Sequence, residues 1–315
     1  MRYLGLLLLS FFLTYVVRKV ALDRAILDMP NERSSHTVPT PRGGGVAIVA
    51  VFYLGLLWIR PEIDPHLFRA LLWGIPVALI SLLDDLLTLS SKVRLMVQAF
   101  ASAGALYALG GVDRIDLGLL TLSGWYLNAL AFLAMVWIIN LYNFLDGIDG
   151  YAAMEAMVMG AGVWLFISPA LGGVILASVM GFLFFNWHKA SIFMGDVGSA
   201  TLGFIFAVLI FYRTDEGMIY GWLVLLAPFW FDATVTLIRR WRRGEAVMSP
   251  HKKHAYQRLV QSGWRHDQVV LAVLGIDLLF LALLLIVPYW WLVFLLNLLV
   301  MALLYRTVEH KKAFT

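Results

Sequence analysis

The 315-residue chain has no cysteine and little charge: Asp, Glu, Lys and Arg make up 14% of it, against 61% hydrophobic residues. Without cysteine there is no disulfide, no thiolate metal ligand and no cysteine nucleophile. A charged fraction so far below the roughly 25% of soluble domains excludes a water-soluble globular protein. Alternating segments of about ten residues, the mark of a transmembrane barrel, are also missing, and no internal repeat of the transporter type is visible. What the chain has instead is apolar length, with a mean hydropathy of +0.82. Runs of about 20 residues, enough to cross about 30 Å of hydrocarbon as a helix, recur along the whole sequence. The run Tyr3 to Val17 lacks a sizeable basic region before it and a small-x-small cleavage site after it, so it is expected to be the first span and not a removed signal.

The expected fold is an all-α integral membrane protein, a single polytopic domain over residues 1–315 with ten or eleven transmembrane helices. Spans are placed at roughly 3–20, 43–60, 66–83, 94–110, 125–142, 151–167, 170–187, 198–213, 218–238, 268–287 and 289–305. If the N-terminus is outside, the inner segments are 18–42, 84–94, 143–150, 188–197, 239–267 and 306–315, and they hold 19 of the 24 Lys and Arg residues. That asymmetry orients the chain with its N-terminus outside and its C-terminus in the cytoplasm. Four polar clusters then share the cytoplasmic face: Asp84-Asp85, Asn143 to Asp149, Asp196, and His251 with His254. On the outer face, Ile115 to Gly124 reads as a short extended segment or hairpin.

Each cluster has a chemical and a plain reading. Asn143, Asp146 and Asp149 are spaced by three; on a helix they would step round by about 60° each and face one pocket. Asp-Gly and Asn are equally ordinary turn residues between helices. Asp84 and Asp85 are adjacent, so on a helix they point about 100° apart and serve different partners, one as a base or metal ligand and one orienting a basic group. They could also simply mark a membrane edge. Lys92 and Arg94 suit phosphates or snorkelling equally. Asp196, between Gly195 and Gly198 at a helix start, could be a ligand or a cap; Phe193 could stack on a base or anchor in the interface. The run His251-Lys252-Lys253-His254-Ala255-Tyr256-Gln257-Arg258 is dense enough in donors to cradle a diphosphate, whereas zinc is disfavoured there by the lack of nearby cysteine or carboxylate ligands. Together the acidic groups could hold magnesium, which takes oxygen ligands and binds substrate phosphates, with the cationic segments holding those phosphates.

The ordered set Met29-Pro30-Asn31-Glu32-Arg33-Ser34-Ser35-His36, Pro39-Thr40-Pro41-Arg42-Gly43-Gly44-Gly45, Asp84-Asp85, Asn143 to Gly150, Phe193-Met194-Gly195-Asp196-Val197-Gly198-Ser199 and His251 to Leu259 resembles the polyprenyl-phosphate N-acetylhexosamine-1-phosphate transferases. The resemblance implies transfer of a sugar 1-phosphate from a UDP-N-acetylamino sugar to undecaprenyl phosphate, releasing UMP, at the cytoplasmic face of a bacterial inner membrane. It implies magnesium, with manganese as its substitute, held by Asp196 and Asn143. Asp84 becomes the candidate base, with Asp85 supporting the same site. Asp146 and Asp149 would line the nucleotide pocket with Phe193 against uracil, and Lys92, Arg94, His251 and His254 would contact phosphates. The segment from His251 lacks the consecutive histidines of the peptidoglycan-precursor branch and looks more like the branch that starts O-antigen or other surface-glycan synthesis. The bilayer and the two substrates are the expected partners, nucleic acid is not, and a homodimer is left open.

Two other classes compete. A CDP-alcohol phosphotransferase would need Ala-Arg after an Asp-Gly pair, and Ile148-Asp149 stands there instead. A transporter would place its acidic groups near mid-span, yet Asp84, Asp146, Asp149 and Asp196 sit at inner span ends, and Asp232 and Asp277 are the exceptions among the aspartates. The orientation is tested by an accessibility tag at Arg243: it should be silent to membrane-impermeant reagent in intact cells and react after permeabilisation. Labelling of intact cells would reverse the topology.

Overall fold

The computed structural model describes residues 2–30, 35–87, 89–246 and 251–314. Asn31 to Ser34 of the N-terminal motif lie outside the described residues. The chain runs α1 (Arg2–Asp23), β1 (Leu27–Asp28), β2 (Thr40–Pro41), α2 (Gly45–Trp58), a 3-10 turn (Arg60–Glu62), α3 (Pro65–Leu72), α4 (Gly74–Leu87), α5 (Ser91–Leu109), β3 (Arg114–Asp116) and β4 (Thr121–Ser123). It continues with α6 (Tyr126–Phe144), α7 (Tyr151–Phe166), α8 (Pro169–Asn186), α9 (Asp196–Tyr212), α10 (Met218–Leu225), α11 (Ala227–Arg242), α12 (Ala255–Gln261), α13 (His266–Ile286) and α14 (Trp290–Lys311).

This is the expected all-α polytopic membrane protein. Among the described residues, six helical runs are long and apolar enough to cross a membrane: α1, α3 with α4, α6, α8, α13 and α14. The pair α10 and α11 makes a seventh if it is one span. It bends by 75° where Pro228 enters the first turn of α11, because proline removes a helix hydrogen bond and crowds the preceding turn. The apolar helices α2, α7 and α9 are shorter. Each of the eleven expected spans coincides with one of these elements or with α5.

The connections carry more structure than the sequence pattern suggested. The expected inner loop 239–267 contains α12, and 18–42 contains the end of α1 and the β1–β2 ladder, in which Leu27 pairs with Pro41. The hairpin expected on the outer face is present as β3 and β4, with Ile115 opposite Leu122.

Helix α9 has no polar face, and such a helix must be buried on all sides. Every residue from Val197 to Phe211 is buried, against α6, α4 and α2 among others, while α8 lies against α7, α1 and α2. The outer helices show the opposite pattern. On α14, Leu292, Leu295, Leu299 and Leu303 are exposed at three- and four-residue spacing, a stripe that matches lipid and would be a liability in water.

Helices α2 and α9 meet backbone to backbone at their first turns. A side chain on Gly45 would run into Gly198 and the Met194 carbonyl, and the Gly44 and Gly45 N–H groups donate to Phe193 O at 2.9 Å and Met194 O at 2.8 Å. Gly45→Val is therefore expected to lower stability by about 1–3 kcal/mol through overpacking, read as a lower melting temperature in detergent. An unchanged melting temperature would mean that the two helices do not meet this closely.

Candidate active site

The centre of the polar end is a helix start capped from outside its own chain segment. The first turn of a helix leaves N–H groups without intrahelical partners. In α9 those of Asp196 and Val197 donate to the two carboxylate oxygens of Asp85, each at 3.1 Å. Gly195 makes this possible: its φ is 76°, and an added Cβ would lie 2.7 Å from Asp85 Oδ2. Asp196 thus does not cap its own helix, the plain reading of its position. Its carboxylate turns instead to Arg94 Nη1 at 2.6 Å. The same guanidinium nitrogen is 2.7 Å from Asp84 Oδ2, whose other oxygen accepts the Leu89 N–H at 2.6 Å. Adjacent in sequence, Asp84 and Asp85 serve different partners.

Around this start lies a cavity of about 290 Å³. Asp85, Asn143, Asp146, Asp149, Phe193 and Asp196 line it, together with Ser35, His36, Arg42, Gln257 and His266. Asn143 belongs to the last turn of α6, but Asp146 and Asp149 lie in the α6–α7 connection, so a turn and not a helix face brings the three together. Gly150, with φ 76°, ends that turn. Asn186 fastens it to the next loop, accepting the Gly150 N–H at 3.0 Å and donating to Ile192 O at 3.0 Å. On the opposite wall the rings of His36 and Phe193 meet edge to face at 4.8 Å, and Arg42 donates to the Asp85 carbonyl. His36 Nε2 and Arg42 Nε are buried without a hydrogen-bond partner, donors open to a ligand with acceptor oxygens.

The carboxylates are not equivalent. Burial, then the charges of Asp196, Asp85 and Asp149, push Asp146 up to about 7. Burial acts on Asp149 in the same sense, but hydrogen bonding and charge from His266, the Ala190 N–H and His188 outweigh it and hold this carboxyl below its usual range. Oxygen donors from Asn143, Asp146 and Asp196, crowded by like charge, are a donor set that a hard divalent cation such as Mg²⁺ fits.

Other expected site residues lie elsewhere. Lys92 is exposed on the first turn of α5 and does not line the cavity. His254 is buried with its Nδ1 3.6 Å from Asp232 Oδ1, a carboxylate supplied from α11. Asp232 accepts the Ala255 N–H at 2.8 Å and so caps α12 as Asp85 caps α9. His251 has its ring 4.8 Å from that of His254; burial, then the charges of His254 and Arg240, lower it to about 4. The segment reaches the cavity through Gln257. His188 and His266, which close on Asp149, were not singled out in the sequence. Each stands alone at a span edge, with no patterned partner nearby.

The Asp146 shift has a testable sign. An unfolded-chain aspartate ionises near 4 and the folded one near 7, so between these values the folded state holds the extra proton. Stability then falls as pH rises through that window and levels off above it. In divalent-free detergent solution the melting temperature of the wild type should drop more from pH 5 to pH 8 than that of Asp146→Asn, and Mg²⁺ at pH 8 should recover part of the loss. Parallel curves for the two proteins would contradict the assignment.

Residues 67–213 match the family described as "Glycosyl transferase family 4". The chain is 31% identical to "Probable undecaprenyl-phosphate N-acetylglucosaminyl 1-phosphate transferase" of Bacillus subtilis, over 87% of this chain and 80% of that protein. It is 33% identical to an undecaprenyl-phosphate alpha-N-acetylglucosaminyl 1-phosphate transferase of Thermotoga maritima, over 79% and 78%. Identity to a decaprenyl-phosphate N-acetylglucosaminephosphotransferase of Mycobacterium leprae is 32%, over 84% and 78%. With identity at this level along most of both chains, and with the motif segments meeting around one cavity, the chain belongs to the polyprenyl-phosphate N-acetylhexosamine-1-phosphate transferases of glycosyl transferase family 4.

Proposed function

We propose that the protein transfers an N-acetylamino-sugar 1-phosphate from a UDP-sugar to undecaprenyl phosphate at the cytoplasmic face of a bacterial inner membrane, releasing UMP. The observation that carries this reading is the cavity itself, where oxygen donors, the buried unpartnered nitrogens His36 Nε2 and Arg42 Nε, and an aromatic wall converge at the polar end of a membrane helix bundle. The bond made joins an acceptor phosphate oxygen to the sugar-bearing phosphorus. The bond broken links that phosphorus to UMP, and its electron pair leaves with the nucleotide.

In this reading Asp196 and Asn143 hold magnesium, which when bound neutralises the diphosphate and stabilises the departing UMP. Arg94, now bridging Asp84 and Asp196, gains an alternative partner in a substrate phosphate. Asp84, relieved of the arginine, can take a proton from the acceptor phosphate, while Asp85 stays on the backbone of α9 and keeps Asp196 in position. Asp149 accepts from the nucleotide, Asp146 lines the same pocket, and Phe193 with His36 offers the ring surface for the base. The segment of His251 and His254 would reach a phosphate through Gln257, the residue by which it lines the cavity. Initiation of O-antigen or another surface glycan is the favoured role over peptidoglycan-precursor synthesis, because Tyr256 and Gln257 follow His254 and Ala255 where that other branch has consecutive histidines. Ion or proton transport is disfavoured, since Asp84, Asp85 and Asp196 sit at helix ends and share one cavity or its rim.

Purified protein with undecaprenyl phosphate, Mg²⁺ and a panel of radiolabelled UDP-N-acetylamino sugars should yield lipid-linked product and UMP in equal amounts for at least one donor. Asp196→Asn should lose about a hundred- to a thousandfold in turnover, the scale on which removal of a charge-stabilising group acts, with its melting profile retained. Absence of product with every donor would sink the transferase assignment, and near-normal turnover of the variant would remove Asp196 from the metal.

A further inference from the structure

At one wall of the cavity, Asp149, His188 and His266 converge from three separate segments: the α6–α7 turn, the α8–α9 connection and the first residue of α13. Asp149 Oδ2 lies 3.2 Å from His188 Nδ1 and 3.1 Å from His266 Nδ1, and all three atoms lie within 4.8 Å of one another. An ordinary hydrogen-bonded carboxylate does not account well for this geometry. His266 Nδ1 is also 3.3 Å from the Asp149 backbone N–H, which requires a lone pair on that nitrogen, whereas Oδ2 requires a proton on it. Neither tautomer satisfies both. Oδ2 itself already accepts the Ala190 N–H at 3.3 Å. A cation between the ring nitrogens and the carboxylate would use the lone pairs of all three, replacing the long Asp149 N–H contact to His266 Nδ1.

We propose that Asp149, His188 and His266 form a binding site for a borderline divalent cation of the zinc class, separate from the all-oxygen set of Asn143, Asp146 and Asp196. Two imidazoles and a carboxylate suit zinc, nickel or cobalt far better than magnesium, which takes oxygen ligands. The two oxygen–nitrogen separations approach the edge of about 3.3 Å for a tetrahedron with metal–ligand bonds of about 2.0–2.1 Å. Asp149 and His266 line the cavity, so an ion can enter from it and a fourth position faces it. The pair His251 and His254 is the natural comparison, since it offers two rings and Asp232 without drawing three such atoms together among the described residues. Occupancy would withdraw Asp149 from the nucleotide and so inhibit competitively with the UDP-sugar. That consequence rests on the transferase reading; the binding itself does not.

Full-length, tag-free, metal-stripped protein in detergent with saturating Mg²⁺ is titrated with Co²⁺, followed by visible absorption and by counting bound metal. One Co²⁺ per chain should bind with a visible band, be displaced by Zn²⁺ and resist excess Mg²⁺. His188→Gln and His266→Gln should each weaken binding by about 100-fold, a loss at the upper end of that seen on removing even supporting groups from metal sites, and His251→Gln should leave it unchanged. Size-exclusion and melting profiles in the absence of Co²⁺ establish that each variant is folded; should His266→Gln fail there, the half-buried His188 carries the test alone. No band, displacement by Mg²⁺, wild-type affinity in folded His188→Gln, or loss only in His251→Gln would each overturn the site. Wild-type cobalt binding with no transferase activity would instead leave the metal site standing and count against the nucleotide reading.

Discussion

The polar end of this protein depends on one buried contact: the Asp85 carboxylate on the first two N–H groups of α9. Helix starts in an apolar setting need acceptors, and hydrogen bonds to a charged group contribute about 1.5–3 kcal/mol each. Supplied from α4, the acceptor also sets how far α4 and α9 can slide past one another. Because α9 is capped from outside, the Asp196 side chain at its first position is released to face Arg94 and the cavity. The same device recurs at α12, which Asp232 caps from α11. Two of the acidic residues placed at or within apolar helices thus have structural work that needs no ion passage.

A second consequence follows from crowding several carboxylates into one small cavity. Their environments divide them by function: Asp149, ringed by imidazoles and an N–H, stays an ionised acceptor, while Asp146, facing other acids, keeps its proton to about neutral pH. A cation arriving among Asn143, Asp146 and Asp196 would exchange with that proton, coupling metal affinity to pH. Chemically identical side chains three residues apart acquire opposite behaviour, as neighbouring charge and hydrogen bonding dictate.

Much of this was legible before the fold. Apolar run length located the helices, because crossing hydrocarbon as a helix demands about twenty residues regardless of tertiary detail; it overcounted the spans, since six or seven of the eleven expected ones are long and apolar enough to cross. The 100° step between adjacent helical residues anticipated that Asp84 and Asp85 would take different partners. The threefold spacing of Asn143, Asp146 and Asp149 was less informative, since the chain leaves the helix at Phe144 and a glycine-closed turn makes the convergence. Capping of α9 by a residue 111 positions earlier has no local signature at all. His188 and His266 escaped notice for a related reason. A lone histidine at a span edge has no periodic partner; the packing of α13 beside α7 brings His266 to Asp149, and the α8–α9 connection brings His188.

In the proposed reading, helix ends explain how an acidic cavity would still receive phosphates. The shorter apolar helices α2, α7 and α9, of 14, 16 and 17 residues, all begin at or beside the cavity, as does α13 with His266. Helix N-termini carry partial positive charge and unsatisfied N–H groups, which draw anions. Several of them converging on one place oppose the carboxylates, and Arg42 and Arg94 add full charges. Length matters in a second way. Seventeen residues reach about 25 Å, less than the roughly 30 Å of hydrocarbon, so under the proposed reading helices this short would draw the cavity floor toward the bilayer. A phosphate fixed to a membrane-bound lipid could then reach the same groups as a water-soluble nucleotide without either leaving its own phase. In a bundle built only from long helices the same side chains would stand out in water, beyond easy reach of a lipid headgroup.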